Sequence, residues 1–129
     1  MVIDKQKRNT VQKLKIKEYL GTVKTHPKAE VVYVEVKKEI PTITLATVYR
    51  NLNSLAEEGE ILRLEIGNEF HFDADISRHQ HYFCTVCGKV RDIFLPEISD
   101  YALEKVNLTD FAVSNVMVVF QGVCKECQR

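Results

Sequence analysis

The segment Thr44-Leu-Ala-Thr-Val-Tyr-Arg-Asn-Leu52 decides the fold of this 129-residue chain, because it has the pattern of an amphipathic helix with a defined start. The hydroxyl of Thr44 suits the N-cap position, where its oxygen can accept a hydrogen bond from a backbone N–H of the first turn. Apolar residues then recur every three or four positions, as they do on the buried face of a helix. This predicted buried stripe comprises Leu45, Val48, Leu52 and Leu55.

Two further helices are predicted before this segment. The first has an apolar face comprising Val11, Leu14, Tyr19, Leu20 and Val23. The second has apolar residues at helical spacing, namely Ala29, Val32, Tyr33, Val36 and Ile40. Pro27 suits the first position of the second helix, and Pro41 is expected to end it, because proline lacks the backbone N–H that a helix interior needs.

A β-hairpin is predicted after the segment. Gly59 closes the helix, and two extended runs follow, Ile61–Ile66 and Glu69–Asp73. They are joined by Gly67-Asn68, a pair that favours a two-residue hairpin turn. Three helices and a hairpin in about 65 residues are the pattern of a winged helix-turn-helix domain.

The second half of the chain has a different pattern. It predicts the strand His79–Cys84, the strand Lys89–Phe94, the helix Pro96–Val106 and the long strand Phe111–Gln121. In the helix, Ile98, Tyr101 and Ala102 share one face. A unit this small has little core of its own, so it needs a zinc cross-link, a dimer partner, or both.

The expected fold class is therefore α+β, with an N-terminal winged helix-turn-helix followed by a small α/β domain. We place the winged-helix domain at residues 1–73, a hinge at 74–78, where the sequence is polar and has no clear period, and the second domain at 79–129. No apolar run approaches the roughly 20 residues that a membrane span needs. The first residues have no apolar signal core, so we expect a cytoplasmic protein without a membrane partner.

Charge is distributed unevenly along the chain, although the formal net charge is zero. Residues 1–28 contain eight lysines and arginines against two acidic residues, whereas residues 73–129 contain six basic and eight acidic residues. A positive field at one end suits contact with a polyanion, and a solvated, lysine-rich helix face explains the same pattern.

The four cysteines form two Cys-x-x-Cys pairs, Cys84/Cys87 and Cys124/Cys127. Each such turn supplies two thiolates from one side, and four thiolates in a tetrahedron are the ligands of a structural Zn²⁺ site. Thiol-redox chemistry, in a redox or zinc-ribbon interaction module, is the alternative for paired cysteines.

The histidines point to a second metal site. On a strand, His79 and His81 project to one face and Cys84 to the other, so the His pair is separate from the thiolates. Asp92 lies on the strand that returns from the first cysteine pair, which can place it beside the histidines. Imidazole and carboxylate together suit iron, manganese or zinc, and they also suit the facial triad of a small non-haem iron enzyme.

The helix that follows Thr44 has a polar face that can read DNA. This face comprises Thr47, Tyr49, Arg50 and Asn53. Arginine can bond to guanine in the major groove, and threonine and tyrosine can contact phosphates or thymine methyl groups. A polar face that merely meets water is the alternative.

In this order and with these spacings, the motifs resemble the ferric-uptake-regulator superfamily over nearly the whole chain. The matching elements are His26-Pro27, Ala46-Thr47-Val48-Tyr49-Arg50-Asn51-Leu52, Phe72-Asp73, His79-Gln80-His81, Cys84-x-x-Cys87-Gly88-Lys89, Asp92 and Cys124-x-x-Cys127. The resemblance implies a metal-dependent repressor that binds double-stranded DNA at a palindromic operator as a homodimer, with the second domain as its dimerisation domain. Lys13 stands where the family commonly has arginine, and we expect it to contact DNA as well.

The resemblance also implies a regulatory site for Fe²⁺ or Mn²⁺, besides the zinc site of the four cysteines. By motif position its ligands are His26, Asp73, His79, His81 and Asp92. Iron-uptake regulators usually have glutamate at the places of Asp73 and Asp92, so the two aspartates favour the peroxide-sensing branch. In that branch the oxidation-sensitive residues correspond to His26 and His79. A regulator of iron, zinc or manganese uptake without a redox response is the alternative within the family.

Overall fold

The computed structural model describes residues 5–128, and its contacts divide the chain into two units, Met1–Ile76 and Ser77–Arg129. We call them the N-terminal unit and the C-terminal unit. The division falls within residues 74–78, the segment predicted to be a hinge. The outermost residues of the two predicted domains, 1–4 and 129, lie outside the described part.

The N-terminal unit contains three helices and a hairpin. Its elements are α1 (Lys5–Thr22), α2 (Ala29–Lys37), α3 (Leu45–Glu57), β1 (Leu62–Ile66) and β2 (Glu69–Asp73). The two strands pair antiparallel, and Gly67 and Asn68 between them have φ angles of 60° and 66°. Two successive positive φ angles are the conformation of a type I′ turn, as the Gly-Asn pair predicts. The winged-helix prediction is confirmed.

The core of this unit lies between the three helices and the hairpin. Its buried residues are Ile16, Leu20, Ala29, Val32, Val36, Ile43, Val48, Leu52, Leu55, Ile61 and Phe72. The predicted inner face of α1 is partly wrong, because Val11 and Leu14 are 48% and 59% exposed while Ile16 is fully buried. At 3.6 residues per turn, Leu14 points about 160° away from Ile16, so both cannot face the same core.

The predicted limits of α2 are also wrong, whereas the predicted start of α3 is confirmed. Pro27 precedes α2 rather than opening it, because its carbonyl accepts a hydrogen bond from Phe72 N–H (3.1 Å), which ties this stretch to β2. The helix ends at Lys37, four residues before Pro41, so Pro41 is not the residue that ends it. At α3, Thr47 N–H donates to Thr44 Oγ1 (3.2 Å), as expected of an N-cap.

The C-terminal unit contains a three-stranded sheet and one longer helix. Its elements are β3 (Gln80–Cys84), β4 (Val90–Ile93), α4 (Pro96–Val106), β5 (Val119–Gly122) and a 3₁₀ helix (Lys125–Cys127). The central strand β3 is antiparallel to β4 and parallel to β5. None of the helices in the described residues 5–128 has the length and apolarity that a membrane crossing requires.

Two sequence predictions fail in the C-terminal unit. The long strand Phe111–Gln121 is reduced to β5, because the parallel register pairs Val119 with His81 and β3 begins at Gln80, so the earlier residues have no more of β3 to pair with. The predicted inner face of α4 is wrong at Tyr101, which is exposed, while Ser99 is fully buried. A polar contact orients this helix, since Gln80 Nε2 donates to Ser99 Oγ at 2.7 Å.

Candidate metal centres and DNA-binding surface

The four cysteines come together in the C-terminal unit. Their sulfur atoms all lie within 4.8 Å of one another, and Cys87 Sγ lies 3.8 Å from Cys124 Sγ. Four sulfurs at about 2.3 Å from a zinc ion form a tetrahedron with edges of about 3.8 Å. The parallel register of β3 and β5 places Cys84 opposite Gly122, so the second pair begins two residues beyond that point. The cluster therefore suits a structural zinc ion.

Backbone geometry favours a thiolate within the cluster. Cys84 Sγ accepts hydrogen bonds from the backbone N–H groups of Cys87 (3.5 Å) and Cys124 (3.3 Å), which lower the pKa of the Cys84 thiol to about 6. The hydrogen bond with Cys124 raises the pKa of Cys127 to about 12. Gly88 closes the first turn with a φ of 77° and donates its N–H to the Cys84 carbonyl. Thiolates are the form that binds zinc.

The histidine pair and Asp92 meet on one face of the sheet, as strand parity predicts. The register of β3 and β4 pairs His81 with Asp92. Asp92 Oδ1 lies 2.8 Å from His79 Nε2 and 3.4 Å from His81 Nε2. The His79 Nδ1–H donates to the Ser77 carbonyl at 2.6 Å, so the Nε2 atom of that ring is directed to the carboxylate. Both rings are buried.

A second histidine–aspartate pair lies within the N-terminal unit. His26 Nε2 lies 3.2 Å from Asp73 Oδ2, and the His26 ring is almost fully buried. Asp73 is the last residue of β2 and accepts a hydrogen bond from the backbone N–H of Asp75 (2.9 Å). His26 precedes Pro27 with a φ of 55°, in the left-handed region.

The five residues predicted as regulatory ligands are thus grouped within each unit, with His26 and Asp73 in one and His79, His81 and Asp92 in the other. Neutral imidazole nitrogens beside carboxylate oxygens are the donor set that Fe²⁺, Mn²⁺ and Zn²⁺ accept. The residues present therefore fit the regulatory metal that the sequence leads us to expect.

The start of α3 has a short network of hydrogen bonds. Thr44 Oγ1 donates to Thr47 Oγ1 (3.0 Å), and Arg50 Nη2 donates to the same oxygen (3.0 Å). The network links the N-cap to the guanidinium group that we expect to contact a base. Arg50 remains exposed.

Tyr49 and Asn53 have intramolecular partners that the sequence does not reveal. Tyr49 OH donates to Glu30 Oε1 on α2 at 2.6 Å. This hydrogen bond raises the pKa of Tyr49 and lowers the pKa of Glu30. Arg63 Nη1 on β1 donates to Asn53 Oδ1 at 2.9 Å. Both predicted DNA contacts are therefore held by charged neighbours from other elements.

Lys13 lies beside a groove between α1 and α3. Its ammonium forms an ion pair with Glu58 at 2.8 Å, which offsets its charge. The groove has a volume of about 490 Å³ and is lined by Asn9, Thr10, Lys13, Thr47, Arg50, Asn51 and Ser54. Three of the predicted DNA-contacting residues, Lys13, Thr47 and Arg50, thus line one polar groove.

The family model described as the ferric uptake regulator family matches residues 4–121 of the chain. The chain belongs to the ferric uptake regulator family. As a member of this family it is a metal-dependent transcriptional repressor, so the alternative of a small non-haem iron enzyme is set aside.

The chain is similar to regulators whose names refer to a response to peroxide. The peroxide-responsive repressor of Staphylococcus aureus is 34% identical over 122 residues, which cover 94% of this chain and 82% of that protein. The solved peroxide stress regulator of Campylobacter jejuni has a TM-score of 0.78 and 32% identity, covering 93% of this chain and 91% of that chain. The solved ferric uptake regulator of Helicobacter pylori has a TM-score of 0.77 and 26% identity, covering 92% of this chain and 80% of that chain.

Proposed function

We propose that this regulator senses peroxide, and that oxidation of its histidines ends repression. The proposal is supported by aspartate at positions 73 and 92, where iron-uptake regulators usually have glutamate, and by the similarity to two peroxide regulators. The observation that carries it is the pairing of each aspartate with a buried imidazole, at 3.2 Å for Asp73 and His26 and at 2.8 Å for Asp92 and His79.

In this proposal the regulatory ligands are His26, Asp73, His79, His81 and Asp92, and the metal is Fe²⁺ or Mn²⁺. The four cysteines hold a structural zinc ion. Two of the five ligands belong to residues 1–73, the DNA-binding domain, and three to residues 79–129, the dimerisation domain, with residues 74–78 as a hinge. A shared cation would therefore tie the two domains together.

We propose further that the protein acts in the cytoplasm as a homodimer on a palindromic operator. The contacts to the duplex come from the face of α3 and the adjacent groove, through Lys13, Thr47, Tyr49, Arg50 and Asn53. A second copy is supported by the apolar side chains that the C-terminal unit leaves exposed, among them Leu108 and Phe111 at 77% and 76%. The dimer needs a fixed spacing of its two α3 helices, because the half-sites of a palindrome lie one helical turn apart.

In this proposal the affinity for DNA depends on how the hinge places the ligands of the two domains. The closed arrangement, in which both domains contribute ligands, binds the cation more tightly than the open one, so metal shifts the population towards the DNA-competent form. A change from 1:99 to 99:1 requires about 5.5 kcal/mol of differential binding. Metal ligation by several groups reaches this magnitude, since structural zinc sites provide about 10–16 kcal/mol.

Peroxide acts on the imidazole rings of His26 and His79. Fe²⁺ held by His26 and His79 would supply the one-electron chemistry that activates peroxide beside these rings, and it would be unchanged in the overall reaction. In the net change one peroxide oxygen is added to a ring carbon, the hydrogen of that carbon moves to a ring nitrogen, and the other oxygen leaves as water. The oxidised ring is a poorer ligand, so the closed arrangement loses its stabilisation and the operator is released.

The decisive experiment is a DNA-binding titration with a duplex selected from a random pool by the Mn²⁺-loaded protein. Affinity is measured without added metal, with Mn²⁺ and with Fe²⁺, each before and after peroxide. We expect metal-dependent binding in both loaded forms and loss after peroxide only with Fe²⁺. Mass spectrometry should then find one added oxygen atom in the peptides that contain His26 or His79.

The Mn²⁺-loaded protein is the matched control, because it offers peroxide no ready one-electron donor. Metal-dependent binding that survives peroxide in the Fe²⁺ form would favour an uptake regulator without redox response. Binding that ignores metal altogether would overturn the ligand set itself.

A further inference from the structure

One buried imidazole lies outside the proposed ligand set. His71 is 9% exposed and is the third residue of β2, two positions before Asp73. Its Nδ1 lies 2.8 Å from the backbone carbonyl oxygen of His26. Because a carbonyl oxygen can only accept, this Nδ1 has to carry the proton and donate it.

The neighbouring backbone makes a second bond to the same stretch. Phe72 N–H donates to the Pro27 carbonyl at 3.1 Å, and the Phe72 side chain is buried in the core. Two successive residues of β2 therefore hold two successive carbonyls, those of His26 and Pro27. The same strand ends with Asp73, whose carboxylate faces His26 Nε2.

The conformation of His26 needs such support. Its φ of 55° lies in the left-handed region, which residues other than glycine adopt at a cost in free energy. The residue that follows is proline, which restricts the backbone of His26 further. A strained backbone persists where its surroundings hold it, and here the donor of His71 provides one of those constraints.

We propose that His71 is a positioning residue of the regulatory site, which sets the orientation of the His26 ring by holding the His26 carbonyl. The inference rests on the proposed function, because it assumes that His26 is a ligand. Partners that orient a ligating histidine change metal affinity about 10- to 100-fold when they are removed. His71 acts through the backbone of the ligand rather than through its ring.

Two substitutions separate positioning from packing. His71→Asn keeps a donor, since the amide nitrogen of asparagine is as many bonds from the backbone as Nδ1 of histidine. His71→Leu keeps an apolar body of similar bulk and has no donor. Mn²⁺ affinity of the zinc-loaded protein is measured by competition with a chelator, because Mn²⁺ avoids oxidation during the titration.

We expect His71→Leu to weaken Mn²⁺ binding about 10- to 100-fold, and His71→Asn to retain most of the affinity. A second measurement needs no Mn²⁺. Nitrogen-15 NMR of the wild-type protein should show the His71 ring with its proton on Nδ1 and that proton protected from exchange with water. Equal affinity in the wild type and both variants would overturn the inference. So would an equal loss in both variants, or a His71 ring with its proton on Nε2.

His26→Ala distinguishes this failure from failure of the proposed function. If His26→Ala leaves Mn²⁺ affinity unchanged, the ligand set is wrong and the inference falls with it. If His26→Ala abolishes tight binding while His71→Leu does not, the ligand set stands and only the role of His71 is refuted.

Discussion

Replacing Thr44 by alanine should loosen the start of α3 without opening the core. The substitution removes the Oγ1 that accepts from Thr47 N–H (3.2 Å) and that donates to Thr47 Oγ1 (3.0 Å). Thr44 is exposed, so no cavity forms. The cost is therefore that of the lost cap, about 1 kcal/mol within a range of roughly 0.5–2 kcal/mol.

This cost is measurable by urea unfolding of the zinc-loaded protein, followed by circular dichroism. With a urea dependence of about 1–3 kcal/mol per molar, a loss of about 1 kcal/mol lowers the midpoint by about 0.3–1 M. Thr44→Ser is the matched control, because serine keeps the hydroxyl and caps helices at least as well.

The substitution should also weaken operator binding. Arg50 donates to Thr47 Oγ1, and Thr47 is oriented by Thr44, so loss of the cap frees the guanidinium to sample more rotamers. A Thr44→Ala midpoint that coincides with that of Thr44→Ser would refute the capping argument. An unchanged affinity for the selected duplex at saturating Mn²⁺ would refute the link to Arg50.

Three further outcomes are expected. Leu52→Ala should cost about 2–5 kcal/mol in urea unfolding because Leu52 is fully buried, whereas Val31→Ala, at 45% exposure, should stay within about 0.5 kcal/mol of the wild type. Arg50→Ala should cost about 1–3 kcal/mol in binding to the selected duplex and relax the preference at one base pair, and a uniform loss across duplexes would assign Arg50 to phosphate instead. The hydrogen bond from Tyr49 to Glu30 lowers the pKa of Glu30 below 4.5 and raises that of Tyr49 above 10.0. Its contribution to stability should therefore be present between these limits and fall as pH drops through the lowered value or rises through the raised one. In Glu30→Gln the amide oxygen can still accept from Tyr49 OH but carries no charge, so the acid-side pH dependence should disappear and the pKa of Tyr49 should be raised less. A phenolate titration by ultraviolet absorbance that is the same in both proteins would contradict this.

The elements that the sequence predicts well are those determined by local chemistry. Thr44 caps α3, and Gly67-Asn68 forms the hairpin turn, because each depends on residues that are near one another in the chain. The helix Pro96–Val106 begins and ends as predicted. The side of the sheet also follows from local alternation, since His79, which directly precedes β3, and His81 within β3 both lie near Asp92.

The predictions that fail depend on partners distant in sequence. Residues 111–118 have the composition of a strand, yet a strand also needs an edge to pair with, and composition says nothing of edges. Pro27 suits a helix start, but its carbonyl is bound by Phe72, 45 residues later. For the same reason the hydrogen bonds between Tyr49 and Glu30 and between Gln80 and Ser99 could not be inferred from the sequence. A glutamine on the inner side of a strand is nevertheless a signal that some buried polar contact exists.

The parallel pairing of β3 with β5 bears on how the molecule is made during translation. Cys124 follows Cys84 by 40 residues, so a nascent chain has only half of the thiolate cluster until its second cysteine pair has left the ribosome. The core of the N-terminal unit, in contrast, is complete once Phe72 has emerged. We therefore expect the N-terminal unit to fold while synthesis continues and zinc to be acquired last. In a zinc shortage, newly made chains should then have a folded N-terminal unit and an incompletely folded C-terminal unit.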